Sequence, residues 1–326
     1  SVTTGIQNVL IGGLAGDAIT DADFNTAVGH GSLSQNVLGS KNTALGTFSL
    51  LNVNPATAAD TLNVGVGYGA GQNVTTAVFN TLVGGLAGDA LTTGQENAAF
   101  GYLALSGDTL GSHSVAVGSY ALQAQNFTTA TDSFNTAVGY AAGTAVTTGL
   151  YNTLIGGLAG DALTDADHNV AIGFNALSSD TLGSASIAIG KGALNGQNFT
   201  TATTAYNVAV GHSAGTSVST GGSNTLVGGL AGDAITTSVQ NTALGYSALS
   251  AACGSSNTSV GGESLLVCTG ASNTAIGKDA GLNNTSGGTN IFIGFQSGIT
   301  GSPGGNQTTG NGGIFLGDDT ISDAYI

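Results

Sequence analysis

The residues best able to do chemistry in this chain are its acids, its four His and its two Cys, and their spacing limits what that chemistry is. Asp17, Asp89, Asp161 and Asp233 recur inside a Gly-Asp-Ala marker, while Asp21 with Asp23 and Asp165 with Asp167 form Asp-Ala-Asp pairs. Calcium takes roughly six to eight oxygens. No loop here spells out such a set, so solvated turn carboxylates are expected. His30, His113, His168 and His212 fit no zinc spacing. No Ser with His and Asp stands apart from the repeat pattern. The reading is therefore non-enzymatic, with no catalytic residue, no metal and no cofactor. Cys253 and Cys268 fall at nearly the same phase after Gly245 and Gly261, respectively. That phase places them on neighbouring rungs about 4.8 Å apart, within disulfide reach, with two buried free thiols as the alternative.

Three longer stretches offer a binding chemistry instead: Asn52 to Thr57, Gln125-Asn-Phe-Thr-Thr-Ala-Thr131 and Gln197-Asn-Phe-Thr-Thr-Ala-Thr203. Insertions in repeat proteins cluster on one face, which is often the binding face. Asn126, Phe127 and Thr128, with Asn198, Phe199 and Thr200, are the candidate contacts to a ligand such as a surface glycan. Otherwise Phe127 and Phe199 pack over their own loops.

The element that carries these residues is a short repeat. An Asn is followed at the fourth position by Gly, as in Asn25 and Gly29, Asn80 and Gly84, Asn152 and Gly156, and Asn224 and Gly228. Eighteen such coils run from Gly12 to Gly317, with Ser114, Ser186 and Gly313 standing in for the Asn in three of them. The closing glycines Gly12, Gly29, Gly46, Gly67 and Gly84 step by 17, 17, 21 and 17, and the same four steps then recur. They define a 72-residue block marked by Gly-Gly-Leu-Ala-Gly-Asp-Ala at Gly12, Gly84, Gly156 and Gly228. After Gly228 the steps become 17, 16, 16, 17 and 23, so the coil persists and the block does not. One short repeat cannot bury its own apolar face and must stack on a copy of itself. The expected fold is all-β, a parallel β-solenoid over residues 1–297, irregular after 228, followed by a Gly-rich linker and capping segment over 298–326. An Asn at the same place on every rung is expected to form a side-chain ladder and bond turn backbone.

Composition excludes several partners. Three Lys, no Arg and a net charge of −15 leave little to neutralise phosphate, so nucleic acid and anionic membranes are not expected. No apolar run approaches the roughly 20 residues of a membrane span, so no insertion is expected. The chain opens on Ser1 and holds no Met, which predicts residues preceding Ser1.

Each Asn-to-Gly segment is apolar or small at the positions between its ends. The first and third positions share a face and are assigned to the coil interior. The middle column, Leu10, Ala27, Ala44, Leu82, Ala116 and onward, then needs another cover. Three identical chains in parallel about an axis supply it; the alternative is cover from the same coil. Nine coils carry Thr at the first position, from Thr26 to Thr274. An outward Thr column on a flat solenoid would suggest ice binding, but the Val and Ile in the same column place it inward.

Asn135-Thr-Ala-Val-Gly-Tyr-Ala-Ala-Gly143 and Ser114-Val-Ala-Val-Gly118 resemble the head repeat of trimeric autotransporter adhesins, and the resemblance spans about positions 5 to 297. That resemblance implies a left-handed parallel β-roll, three chains to a head. Coils of the length seen here, with Asn-Thr-Ala-x-Gly-Tyr-x-Ala-Leu, are more similar to phage tail fibres and tailspikes. Gly313-Ile-Phe-Leu-Gly-Asp-Asp-Thr-Ile321 resembles the junction before the self-cleaving chaperone of such fibres. The resemblance implies a homotrimeric fibre about 85 Å long at 4.8 Å per rung, on a virion tail. Its partners would be other copies of itself, other virion tail proteins and a host cell-surface glycan or receptor. A bacterial cell-surface adhesin head, a glycan-cleaving tailspike with two carboxylates about 5 to 10 Å apart, and an ice-binding solenoid are the alternatives.

Overall fold

The computed structural model describes residues 2–302 and 305–318. Ser1, residues 303 and 304, and residues 319–326, which include part of the segment expected to cap the C-terminus, lie outside the described residues. The chain forms two compact units, residues 1–167 and 168–326. Among the described residues there is no helix.

The first unit stacks nine three-residue strands: Val9–Ile11, Thr26–Val28, Thr43–Leu45, Val64–Val66, Thr81–Val83, Ala98–Phe100, Val115–Val117, Thr136–Val138 and Thr153–Ile155. Each pairs in parallel with the next, position on position. The second unit repeats the arrangement with Val170–Ile172, Ile187–Ile189, Val208–Val210, Thr225–Val227, Thr242–Leu244, Thr258–Val260, Thr274–Ile276, Ile291–Ile293 and Ile314–Leu316. Each unit is a parallel β-solenoid, one such strand per coil. The last strand shows that residues 314–316, inside the expected capping segment, still form a rung.

Asn and Gly bound the strands for separate physical reasons. The Asn25 backbone N–H donates to Asn8 Oδ1 at 2.9 Å, and Asn42 N–H to Asn25 Oδ1 at 2.9 Å. The amide also reaches across its own coil, as when Asn80 Nδ2 donates to the Gly94 carbonyl at 2.9 Å and Asn273 Nδ2 to that of Gly287 at 2.8 Å. One side chain therefore joins two rungs and closes one coil, which is the ladder expected from the repeat. At the other end, Gly29 has φ +132° and lies against the next rung, where a Cβ would sit 2.6 Å from the Gly46 carbonyl. Any side chain there meets backbone, so the position admits only Gly.

Between these ends large side chains enter the interior from either of two places, and where both are small, as at Gly65 and Gly71, Leu50 and Leu82 of the neighbouring rungs fill the space. Leu82 fills the interior where Gly88 stands further along the coil, and Leu105 fills it where the strand carries Ala99. A Cβ at Gly88 would approach Leu82 Cδ2 to 2.7 Å. The exchange conserves volume, as close packing requires.

This core corrects the expected orientation of the strands. The middle column faces inward: Ala27, Ala44, Leu82, Ala116, Leu154 and Leu226 are fully buried. Its cover comes from the same coil, from corner residues such as Ala121 and Leu122. The first and third positions face outward, leaving Ile11, Leu45, Phe100, Leu244 and Ile276 exposed. The Thr column follows them, with Thr43 and Thr225 exposed and Thr26, Thr81 and Thr136 half-buried. In a three-residue strand whose faces are both apolar, size decides the matter, because Ala fits a narrow coil and Val, Ile or Phe at two positions does not.

Candidate ligand-binding surface

The 21-residue coils place their extra residues in a second, two-residue parallel ladder. Ala59–Asp60 pairs with Gly39–Ser40, Thr131–Asp132 with Gly111–Ser112, and Thr203–Thr204 with Gly183–Ser184. The bridging segment folds back over the coil, so Phe127 and Phe199 are buried at 5% and 7% exposure. The two rings pack over their own loops, and only a small edge of Phe199 faces the surface, beside Thr203 and Val239. Asn126, Thr128, Asn198 and Thr200 remain exposed. The two Asn are engaged by neighbouring hydroxyls, Thr109 Oγ1 to Asn126 Oδ1 at 2.9 Å and Thr181 Oγ1 to Asn198 Oδ1 at 3.1 Å.

Under each Phe lies a buried polar cluster that the sequence did not announce. Asp108 Oδ1 accepts from the Gly111 N–H at 3.0 Å and the Phe127 N–H at 3.4 Å, and its Oδ2 accepts from Gln125 Nε2 at 2.6 Å. Gln125 Nε2 also donates to Ser114 Oγ at 2.8 Å, while its Oε1 accepts from Asn135 Nδ2 at 3.0 Å. One block further on, Asp180, Gln197, Ser186 and Asn207 repeat these bonds, at 2.5 Å from Gln197 Nε2 to Asp180 Oδ2, 2.9 Å to Ser186 Oγ and 2.8 Å from Asn207 Nδ2. Burial pushes the Asp108 carboxyl above its ordinary value, against the opposing pull of Gln125 and the backbone N–H groups. With its polar side chains bonded to one another inside a closed coil, the cluster is architectural. The signal that finds it is the pairing of Ser114 with Gln125 and Ser186 with Gln197, where Asn42 is paired with Val53.

The remaining candidate groups are dispersed. Cys253 and Cys268 are both free and buried rather than bridged. Burial, reinforced by Cys268, pushes the Cys253 thiol up to about 12, and burial raises Cys268 as well, so both stay protonated and unreactive at neutral pH. Among the described residues no three His, Cys, Asp or Glu side chains converge as metal ligands would. His113 lies between Glu96 and Asp132 at 3.4 and 3.1 Å and stacks on Phe134, 5.0 Å between ring centres. An acidic groove of about 460 Å³ gathers Asp21, Asp23 and Asp60. Each of these carboxylates already holds a partner: Thr4 Oγ1 at 2.7 Å, the Ile6 N–H at 2.7 Å and Lys41 Nζ at 2.6 Å, respectively.

The outer surface carries aromatic residues in two columns. One is the residue before the Asn, held at positive φ and exposed at Phe24, Phe79, Phe134, Tyr151 and Tyr206. The other follows the closing Gly, at Tyr68, Tyr102, Tyr140, Phe174 and Tyr246. Phe134 stacks on Tyr151 at 5.8 Å, and Tyr120 meets Tyr140 edge-on at 5.8 Å. With the outward strand positions, these rings make an apolar, aromatic-rich face on each unit. No family model and no curated protein matches this chain.

Proposed function

We propose that this chain is a segment of an extracellular fibre, a phage tail fibre in the first instance, that binds a host cell-surface glycan or receptor. In this reading it works as a homotrimer of left-handed β-rolls at a virion tail, joined to other tail proteins; a bacterial trimeric adhesin head is the alternative setting. The observation that carries the reading is the outward apolar face of the strands, where Ile11, Leu45, Leu244, Ile276 and Ile293 are all exposed. A soluble monomer rarely leaves a contiguous apolar patch larger than a few hundred Å², and self-association of identical solenoids covers such a face rung by rung. The resemblance of the repeat to adhesin heads and tail fibres supports the same arrangement.

Sedimentation equilibrium tests it. The chain should run as a trimer, and Leu244→Asp with Ile276→Asp should dissociate it while its circular dichroism is unchanged; a monomeric parent chain overturns the reading. Incubation with host polysaccharide should release no new reducing ends; their appearance would favour a glycan-cleaving tailspike.

A second reading rests on the outward Thr column. Thr225, Thr242, Thr258 and Thr274 pair in register beside Val227, Leu244, Val260 and Ile276, a regular array of the kind that orders ice. A monomer showing thermal hysteresis would favour it, because trimer and ice require the same face.

A further inference from the structure

A groove of about 390 Å³ in the second unit is where the 72-residue block has lost both bulk and charge. Phe199 and Val239 form apolar wall, and Thr204, Thr220, Ser223 and Gln240 present polar groups to it. Its volume falls in the range of small-ligand clefts, roughly 300–1,000 Å³.

Comparison with the equivalent positions one block earlier shows how it opens. Gly222 and Ser223 stand where Leu150 and Tyr151 stood, so two large side chains are gone from the wall. Thr204, Thr237 and Val239 replace Asp132, Asp165 and Asp167, removing three carboxylates. Those carboxylates held their surroundings: Asp132 bonds His113, Asp165 accepts from Thr148 Oγ1 at 2.5 Å, and Asp167 accepts from the Leu150 N–H at 2.7 Å. Ala185 replaces His113, while the Thr220 hydroxyl and the Gly222 N–H, which stand where Thr148 and Leu150 stood, lose their acceptors. Among the described residues, none hydrogen-bonds the side chains of Thr204, Thr220, Ser223 or Gln240, or the N–H of Gly222.

We propose that this groove binds a neutral sugar residue. A sugar ring presents an apolar face and a rim of hydroxyls that both give and accept hydrogen bonds. The groove offers apolar wall, three hydroxyls and an amide that do both, and a spare backbone donor. On a chain with net charge −15, a stretch of surface stripped of three carboxylates selects against cations and provides no cation for an acidic ligand. The proposal deepens the receptor-binding reading above and rests on it for its biological setting, not for its chemistry.

The full chain is tested for binding to immobilised neutral glucosyl, galactosyl, mannosyl and N-acetylglucosaminyl oligosaccharides, with sialylated ones as controls. Binding to a neutral probe and not to the sialylated controls is expected. Gly222→Leu with Ser223→Tyr, which restores the residues the same fold carries one block earlier, should weaken it at least tenfold. Thr220→Val, which keeps the shape and removes one hydroxyl, should weaken it about threefold. No binding to any neutral probe, or binding unchanged by the double substitution in a protein of unaltered circular dichroism, overturns the proposal. Oligomeric state on the same samples keeps the two ideas separate: a trimer that binds no neutral sugar loses the groove alone, and a monomer that binds one loses the fibre assembly alone.

Discussion

The coil that begins at Asn42 and the coil that begins at Ser114 occupy equivalent places in successive blocks, yet close by different means. In the first, Asn42 Oδ1 accepts from the Asn63 N–H at 3.0 Å and Thr61 Oγ1 at 2.8 Å, and aliphatic Val53 fills the interior. In the second, Ser114 Oγ meets Ser133 Oγ of the next rung at 2.5 Å, and Gln125 sends its amide across the coil to Ser114, Asp108 and Asn135. The requirement for an amide persists while the wall supplying it changes. A buried Asp beside a Gln therefore reports a redistributed hydrogen-bond demand in this fold, and not an acid poised for catalysis.

Substitutions that convert one coil into the other test this account. The largest effect is expected from Gln125→Leu, which leaves Asp108 Oδ2 and one Asn135 donor without their partner while Gly111, Phe127 and Ser133 keep theirs; a buried acceptor of this kind left unanswered costs about 3 kcal/mol. Urea denaturation measures it. The combined change Asp108→Asn, Ser114→Asn and Gln125→Val, which copies Asn36, Asn42 and Val53, should recover most of the loss, and failure to recover would break the equivalence. Asn42→Ser alone should cost about 2–3 kcal/mol, since it leaves buried donors of the next rung unanswered. Adding Asn36→Asp and Val53→Gln should reverse that.

The smallest effect is in pH dependence. Burial raises the folded carboxyl of Asp108 above its unfolded value. The folded state therefore holds the proton more tightly, and the stabilisation is complete below about pH 3.9 and lost as pH rises through the folded value. The urea midpoint should fall across that window in the parent chain and fall less in Asp108→Asn. Equal slopes would show that the carboxyl is not buried as described.

Much of this architecture was legible because the repeat writes its own period. Asn25 and Gly29 mark a clasp and a backbone contact whose demands recur from rung to rung, so the ladder and the parallel stacking follow from spacing alone. Which face turns inward did not follow. Alternation over a segment as short as Thr26-Ala-Val28 separates two faces without ranking them, and the deciding clue lay further along the coil, where Gly88 answers Leu82 and Leu105 answers Ala99. The loop residues were harder to read for a related reason: Phe127 lies in an insertion, and insertions usually project, but here the neighbouring Asp108 and Gly111 give the ring a seat. The groove beside Phe199 was invisible without coordinates, since it is made by the removal of Leu, Tyr and Asp side chains.

The polar clusters also bear on how the chain finds its register while folding. A coil stacked one step out of place still offers Asn to Asn and Gly to Gly, so the ladder by itself tolerates slippage. Asp108 does not, because one coil earlier the same place holds Leu91, and a slipped rung would seal the carboxylate against aliphatic carbon with no amide to meet it. Asp108 and Asp180 thus act as alignment pins spaced one block apart, rejecting misregistered stacks that the rest of the sequence would accept.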